Sequence, residues 1–90
     1  MILEKLREEI SELCEEAMLF DNPSYDKSII GITLGGNVVY DYNSMIEEFA
    51  EENNCSYDEA LDFVDYNTVR SLNYISDEMK PIVITDLQYE

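Results

Sequence analysis

Carboxylates dominate the reactive side chains of this chain: 21 Asp and Glu stand against five Lys and Arg, with no histidine. Without His, acid–base chemistry would fall to a carboxylate, to Lys27 or Lys80, to a tyrosine, or to Cys14 or Cys55. Such chemistry needs one group singled out by its surroundings. Pairs such as Glu47 and Glu51, repeated along a helix, read instead as solvated surface. Cys14 lies beside Glu15 and Glu16, whose charges oppose a thiolate. Gly35-Gly36 lacks the G-x-G-x-x-G spacing and precedes a β-branched run, so it cradles no phosphate. The residue pattern is that of a non-enzymatic protein with no cofactor.

Hard cations take oxygen ligands, so calcium loops are the next test. A loop starting at Asp41 places Asn43 third and Glu52 twelfth, but Met45 fifth and Ile46 where glycine is required. A loop starting at Asp65 places Val69 fifth and Arg70 sixth. Both fail, which leaves only nonspecific attraction of divalent ions to an acidic surface. Cys14 and Cys55 share no CxxC spacing and read as reduced thiols.

What remains is the charge itself. Nine carboxylates (Asp41, Glu47, Glu48, Glu51, Glu52, Asp58, Glu59, Asp62, Asp65) lie between Lys27 and Arg70 with no base among them, and the formal net charge is −16. That sign disfavours direct binding of nucleic acid, which depends on Lys and Arg to displace counterions, and of anionic membranes. It favours a basic protein surface. Residues 1–20 lack the apolar core of a secretory signal, and no run reaches the length of a membrane span. A cytoplasmic protein is expected.

The elements that would position these groups follow from periodicity. Leu3, Leu6, Ile10, Leu13, Ala17 and Phe20 predict an amphipathic helix over 2–20, stopped by Asp21-Asn22-Pro23-Ser24. Residues 28–42 predict a β-hairpin around Gly35-Gly36-Asn37, with Leu34 opposite Val38, Ile32 opposite Tyr40 and Ile30 opposite Tyr42. Ser44-x-x-Glu47 and Ser56-x-x-Glu59 have the form of capping boxes. A helix over about 45–53 follows the first, with Glu47, Glu48, Glu51 and Glu52 outward, and Asn53-Asn54 ends it. A second helix starts at about 57, bends or breaks at Tyr66-Asn67-Thr68, and runs to about 75. Ser76-Asp77-Glu78 reads as a loop, and Pro81 opens a strand over 82–85. The expected fold is a single α+β domain, residues 1–90, of two layers. In it a three-stranded sheet (hairpin 28–42 plus strand 82–85) packs with three to four helices in the order α-ββ-α-α-β.

The segment Glu59-Ala60-Leu61-Asp62-Phe63-Val64-Asp65-Tyr66-Asn67-Thr68-Val69-Arg70-Ser71-Leu72, followed by Pro81-Ile82-Val83-Ile84, resembles short uncharacterised acidic proteins of phages and mobile elements of Gram-positive bacteria. The resemblance covers about the last 35 residues and carries no functional residue. It implies a context in which small acidic proteins inhibit host nucleic-acid-handling enzymes, restriction and CRISPR nucleases included.

On a helix, carboxylates four residues apart repeat about every 6 Å, and two adjacent helices double that density toward the phosphate spacing of a duplex. The leading expectation is therefore charge mimicry: an inhibitor of anti-CRISPR or antirestriction type that occupies a basic channel. Its contact residues would be Glu47, Glu48, Glu51, Glu52, Asp58, Asp62 and Asp65, with Tyr66 as an aromatic anchor. An immunity protein or antitoxin for a basic toxin is a second reading. A structural or regulatory module that homodimerises through the first helix or the hairpin edge is a third, its charge serving solubility alone.

Overall fold

The computed structural model describes residues 2–20, 24–74 and 80–85. The elements run α1 (Ile2–Leu13), β1 (Ile29–Ile32), β2 (Val38–Asp41), α2 (Tyr42–Asn53), α3 (Tyr57–Phe63) and β3 (Ile82–Ile84). A 3-10 turn, Asp26–Ser28, leads into β1, and α3 continues as a π-helical segment, Val64–Val69, and a 3-10 segment, Arg70–Tyr74. This is the α+β domain and the α-ββ-α-α-β order expected from the sequence. The stop at Asp21-Asn22-Pro23, the Ser76-Asp77-Glu78 loop and the final residues lie outside the described residues.

Strand β2 is central, antiparallel to β1 and parallel to β3. The hairpin loop has the expected three residues but starts one position earlier, at Leu34-Gly35-Gly36. Thr33 N donates to Asn37 O at 2.8 Å and Gly36 N to Thr33 O at 3.0 Å. Gly36 closes the turn at φ 95°, in the left-handed region that glycine enters without a Cβ clash. Ile32 therefore faces Val38, and a bulge at Ile30 shifts Ile29 opposite Tyr40. Ile30 and Leu34, expected on the core face, are exposed. Asn37 sets this register because its amide N–H and side chain bond Thr33 Oγ1, while Nδ2 donates to the Lys80 carbonyl and ties the loop to the approach of β3.

Helix α1 ends at Leu13, seven residues short of the expected end. Like-charged Glu15 and Glu16 sit where a longer helix would place its negative dipole end. The chain instead turns at 14–17, with Cys14 N on Ile10 O and Ala17 N on Cys14 O. That turn brings Phe20 onto Tyr40 and Tyr25, at ring-centroid distances of 4.7 and 5.6 Å. Phe20 N donates to the Tyr40 hydroxyl. Arg7 fixes the return path: its guanidinium forks onto both Asp26 oxygens at 2.7 and 2.8 Å and reaches Phe20 O at 3.1 Å.

The core joins Ile10, Tyr25, Val38, Tyr40, Met45, Ile46, Ala60 and Val64. Tyr25 lies wholly inside it at φ 53°, its hydroxyl 3.0 Å from Thr68 Oγ1. No helix among the described residues is long and apolar enough to cross a membrane.

Candidate functional site

The site is built from α2, α3 and the π segment that extends α3. Helix α2 begins at Tyr42 rather than 45, because Asp41 and not Ser44 caps it. Asp41 Oδ2 accepts the Ser44 amide at 2.9 Å and the Ser44 hydroxyl at 2.7 Å. Asn54 ends α2 in the left-handed region, φ 52°. The Ser56–Glu59 capping box then opens α3 as expected. Phe49 and Phe63 stack at 4.2 Å and 17° and lock the two helices together. Tyr57 OH donates to Asn43 Oδ1 across the same contact.

On this pair Glu47, Glu51, Glu52, Asp58, Asp62 and Asp65 are exposed. Glu47 and Glu51 form one i,i+4 row on α2, and Asp58 and Asp62 form another on α3. Asp65 bears on the N-terminal end of α2: its charge, after burial, helps hold the Tyr42 hydroxyl above the ordinary tyrosine range. Tyr66 is 67% exposed, with the Arg70 guanidinium 5.0 Å above its ring, a cation–π contact that steadies the ring. The bend expected at Tyr66-Asn67-Thr68 takes the form of π winding, which turns Thr68 inward to Tyr25 and leaves Tyr66 in solvent.

Glu48 breaks the expected pattern. It is only 7% exposed, and it accepts the Ser28 hydroxyl at 2.8 Å and the Lys27 amide. Burial pushes its carboxyl above the ordinary range, and the Glu52 charge adds to that; the Ser28 and Lys27 contacts oppose it. The four glutamates of α2 thus divide. Glu47, Glu51 and Glu52 are exposed, whereas Glu48 is buried, and the charges of Glu48 and Glu52 both reach Tyr25. Glu48 pins the 26–28 turn to α2 and is withdrawn from any surface contact. The sequence carried only part of this signal: at 100° per residue, Glu48 and Glu52 both flank the stripe of Tyr42, Met45, Ile46 and Phe49 and Glu47 and Glu51 lie nearly opposite it, while the 26–28 turn that buries Glu48 is a tertiary contact.

Cys14 and Cys55 are half-buried and neither is in a disulfide. Among the described residues, no group of three or more Cys, Asp and Glu is placed to hold a metal ion. Comparisons with protein-family models, with curated proteins and with solved structures return no match.

Proposed function

We propose that the protein is a non-enzymatic acidic inhibitor that binds the basic surface of a nucleic-acid-handling enzyme by charge mimicry, in the manner of an anti-CRISPR or antirestriction protein. One observation carries this reading: α2, α3 and the π segment that extends α3 bear seven exposed carboxylates, Glu59 of the capping box among them, on helices joined by the Phe49–Phe63 stack, in a stretch from 28 to 69 that contains no base. The contact set is Glu47, Glu51, Glu52, Asp58, Asp62 and Asp65, with Tyr66 as the aromatic anchor; Glu48 drops out because it is buried. A high density of exposed carboxylates speeds encounter with a basic channel and makes association sensitive to salt.

The test is competition with duplex DNA for a CRISPR or restriction nuclease, at low and at physiological salt. Wild type is expected to displace DNA at low salt and to weaken as salt rises. The quadruple variant E47K/E51K/D58K/D62K is expected to lose displacement while keeping its circular dichroism spectrum. Inhibition that survives the charge reversal overturns the proposal.

A further inference from the structure

We infer that the groove between the end of α1 and the hairpin loop is a second docking surface, one that takes a short cationic, amphipathic segment of a partner protein. The two most exposed large apolar side chains among the described residues are Leu34 and Leu13, the latter 71% exposed. One exposed leucine needs no explanation. These two lie twenty-one positions apart in sequence, yet both line one groove of about 350 Å³. Its lining includes Cys14 and Ile32, the latter packed against the core. Gly35 and Gly36 complete the lining without side chains of their own. The volume sits near the lower end of ligand pockets. It fits one or two aliphatic side chains of a peptide and not a globular face.

Charge selects among occupants of such a groove. Glu12 and Glu15, which flank Leu13 and Cys14 in sequence, and Glu16 next to them are all exposed. No base occurs from residue 8 to 26 or from 28 to 69, the stretches that contribute the lining. Against those three carboxylates the fold brings Lys80 near the loop, through the Asn37 side chain, and the local balance stays negative. A second copy of this chain would set like charges against like, at −16 on each side. A helix with leucine on one face and lysine or arginine on the other meets both requirements, the apolar anchor seated between Leu13 and Leu34 and the cations toward Glu12, Glu15 and Glu16. This surface lies on elements other than α2 and α3 and does not rest on the mimicry reading.

The test titrates a short synthetic Leu/Lys amphipathic helix into the full chain, with oligolysine of equal charge and a Leu/Glu helix as controls. Alkylation rates of Cys14 and Cys55 are followed together with binding. The Leu/Lys helix is expected to bind and to slow Cys14 while leaving Cys55 unchanged. L34S, at a fully exposed loop position that leaves the fold intact, is expected to weaken it roughly tenfold or more, the scale of one buried leucine. The variant E47K/E51K/D58K/D62K is expected to keep this binding, so loss of mimicry and loss of the groove are read separately. Equal binding by oligolysine, unchanged binding to L34S, or a self-associated dimer that L34S dissolves would each overturn the inference.

Discussion

At Glu48 burial works against the charge the side chain carries at neutral pH. Its folded value lies above the ordinary 4.5, so the folded protein holds this proton more tightly than the unfolded chain does. The contribution of the group to stability is therefore complete below 4.5 and is lost as pH rises through the folded value. The neutral isostere E48Q is expected to gain on wild type between pH 4.5 and neutrality, read as the difference in urea midpoint. A difference that stays flat across that window would show that Glu48 is solvated as its neighbours are. E48A leaves the Ser28 hydroxyl and Lys27 amide without their acceptor and is expected to cost about 1–3 kcal/mol. Tyr25, within reach of the Glu48 charge, presents the same logic. Y25F keeps the packing but strips Thr68 Oγ1 of its partner, at an expected cost of about 1 kcal/mol. Composition places all four α2 glutamates in water alike; the contact of Glu48 with the 26–28 turn, which no local pattern announces, sets it apart.

Caps and registers show where local pattern suffices and where it does not. The Ser56–Glu59 box was legible because nothing upstream competes for the Glu59 amide. The Ser44–Glu47 pattern misled, since Asp41 stands three residues earlier and captures the Ser44 amide itself. D41A is therefore expected to destabilise by about 0.5–2 kcal/mol, with S44A clearly milder, in urea denaturation followed by circular dichroism. Equal losses would restore Ser44 as the cap. The hairpin slipped by the same kind of rivalry. Alternation placed Leu34 inward opposite Val38, but the Thr33–Asn37 hydrogen bonds and the positive φ at Gly36 outweigh one leucine's burial, and the bulge at Ile30 restores the core phase for Ile29. The π winding at Val64–Val69 was legible only as weakness in Tyr66-Asn67-Thr68. Its form depends on Thr68 finding Tyr25 some forty positions away.

Across the whole molecule, self-repulsion at a net charge of −16 outweighs any single ion pair. The denaturation midpoint is expected to rise with sodium chloride as the screening length contracts from about 30 Å at 0.01 M to about 8 Å at 0.15 M. A midpoint independent of salt over that range would mean that the carboxylates are spaced too widely to repel. Fold class and element order were legible in the sequence, because periodicity marks each helix and strand independently. The acidic face was legible in composition and only partly in membership, since the packing that buries Glu48 is a tertiary event. The groove beside α1 was not legible. It exists because the helix stops at Leu13 and the hairpin ends one position early, and each of those departures exposes one leucine.

The parallel pairing of β3 with β2 has a consequence in time. Ribosomes add roughly 5–20 residues per second, and forty-one positions separate Asp41 from Ile82, so the middle strand waits on the order of 2–8 s for its second neighbour. During that wait a nascent chain presents the open backbone of Val38–Asp41 to other nascent chains. The glutamates of residues 4–16 are made before that wait and the carboxylates of α2 and α3 in the course of it, so polysome-bound copies repel one another increasingly through the interval in which they are most prone to coalesce.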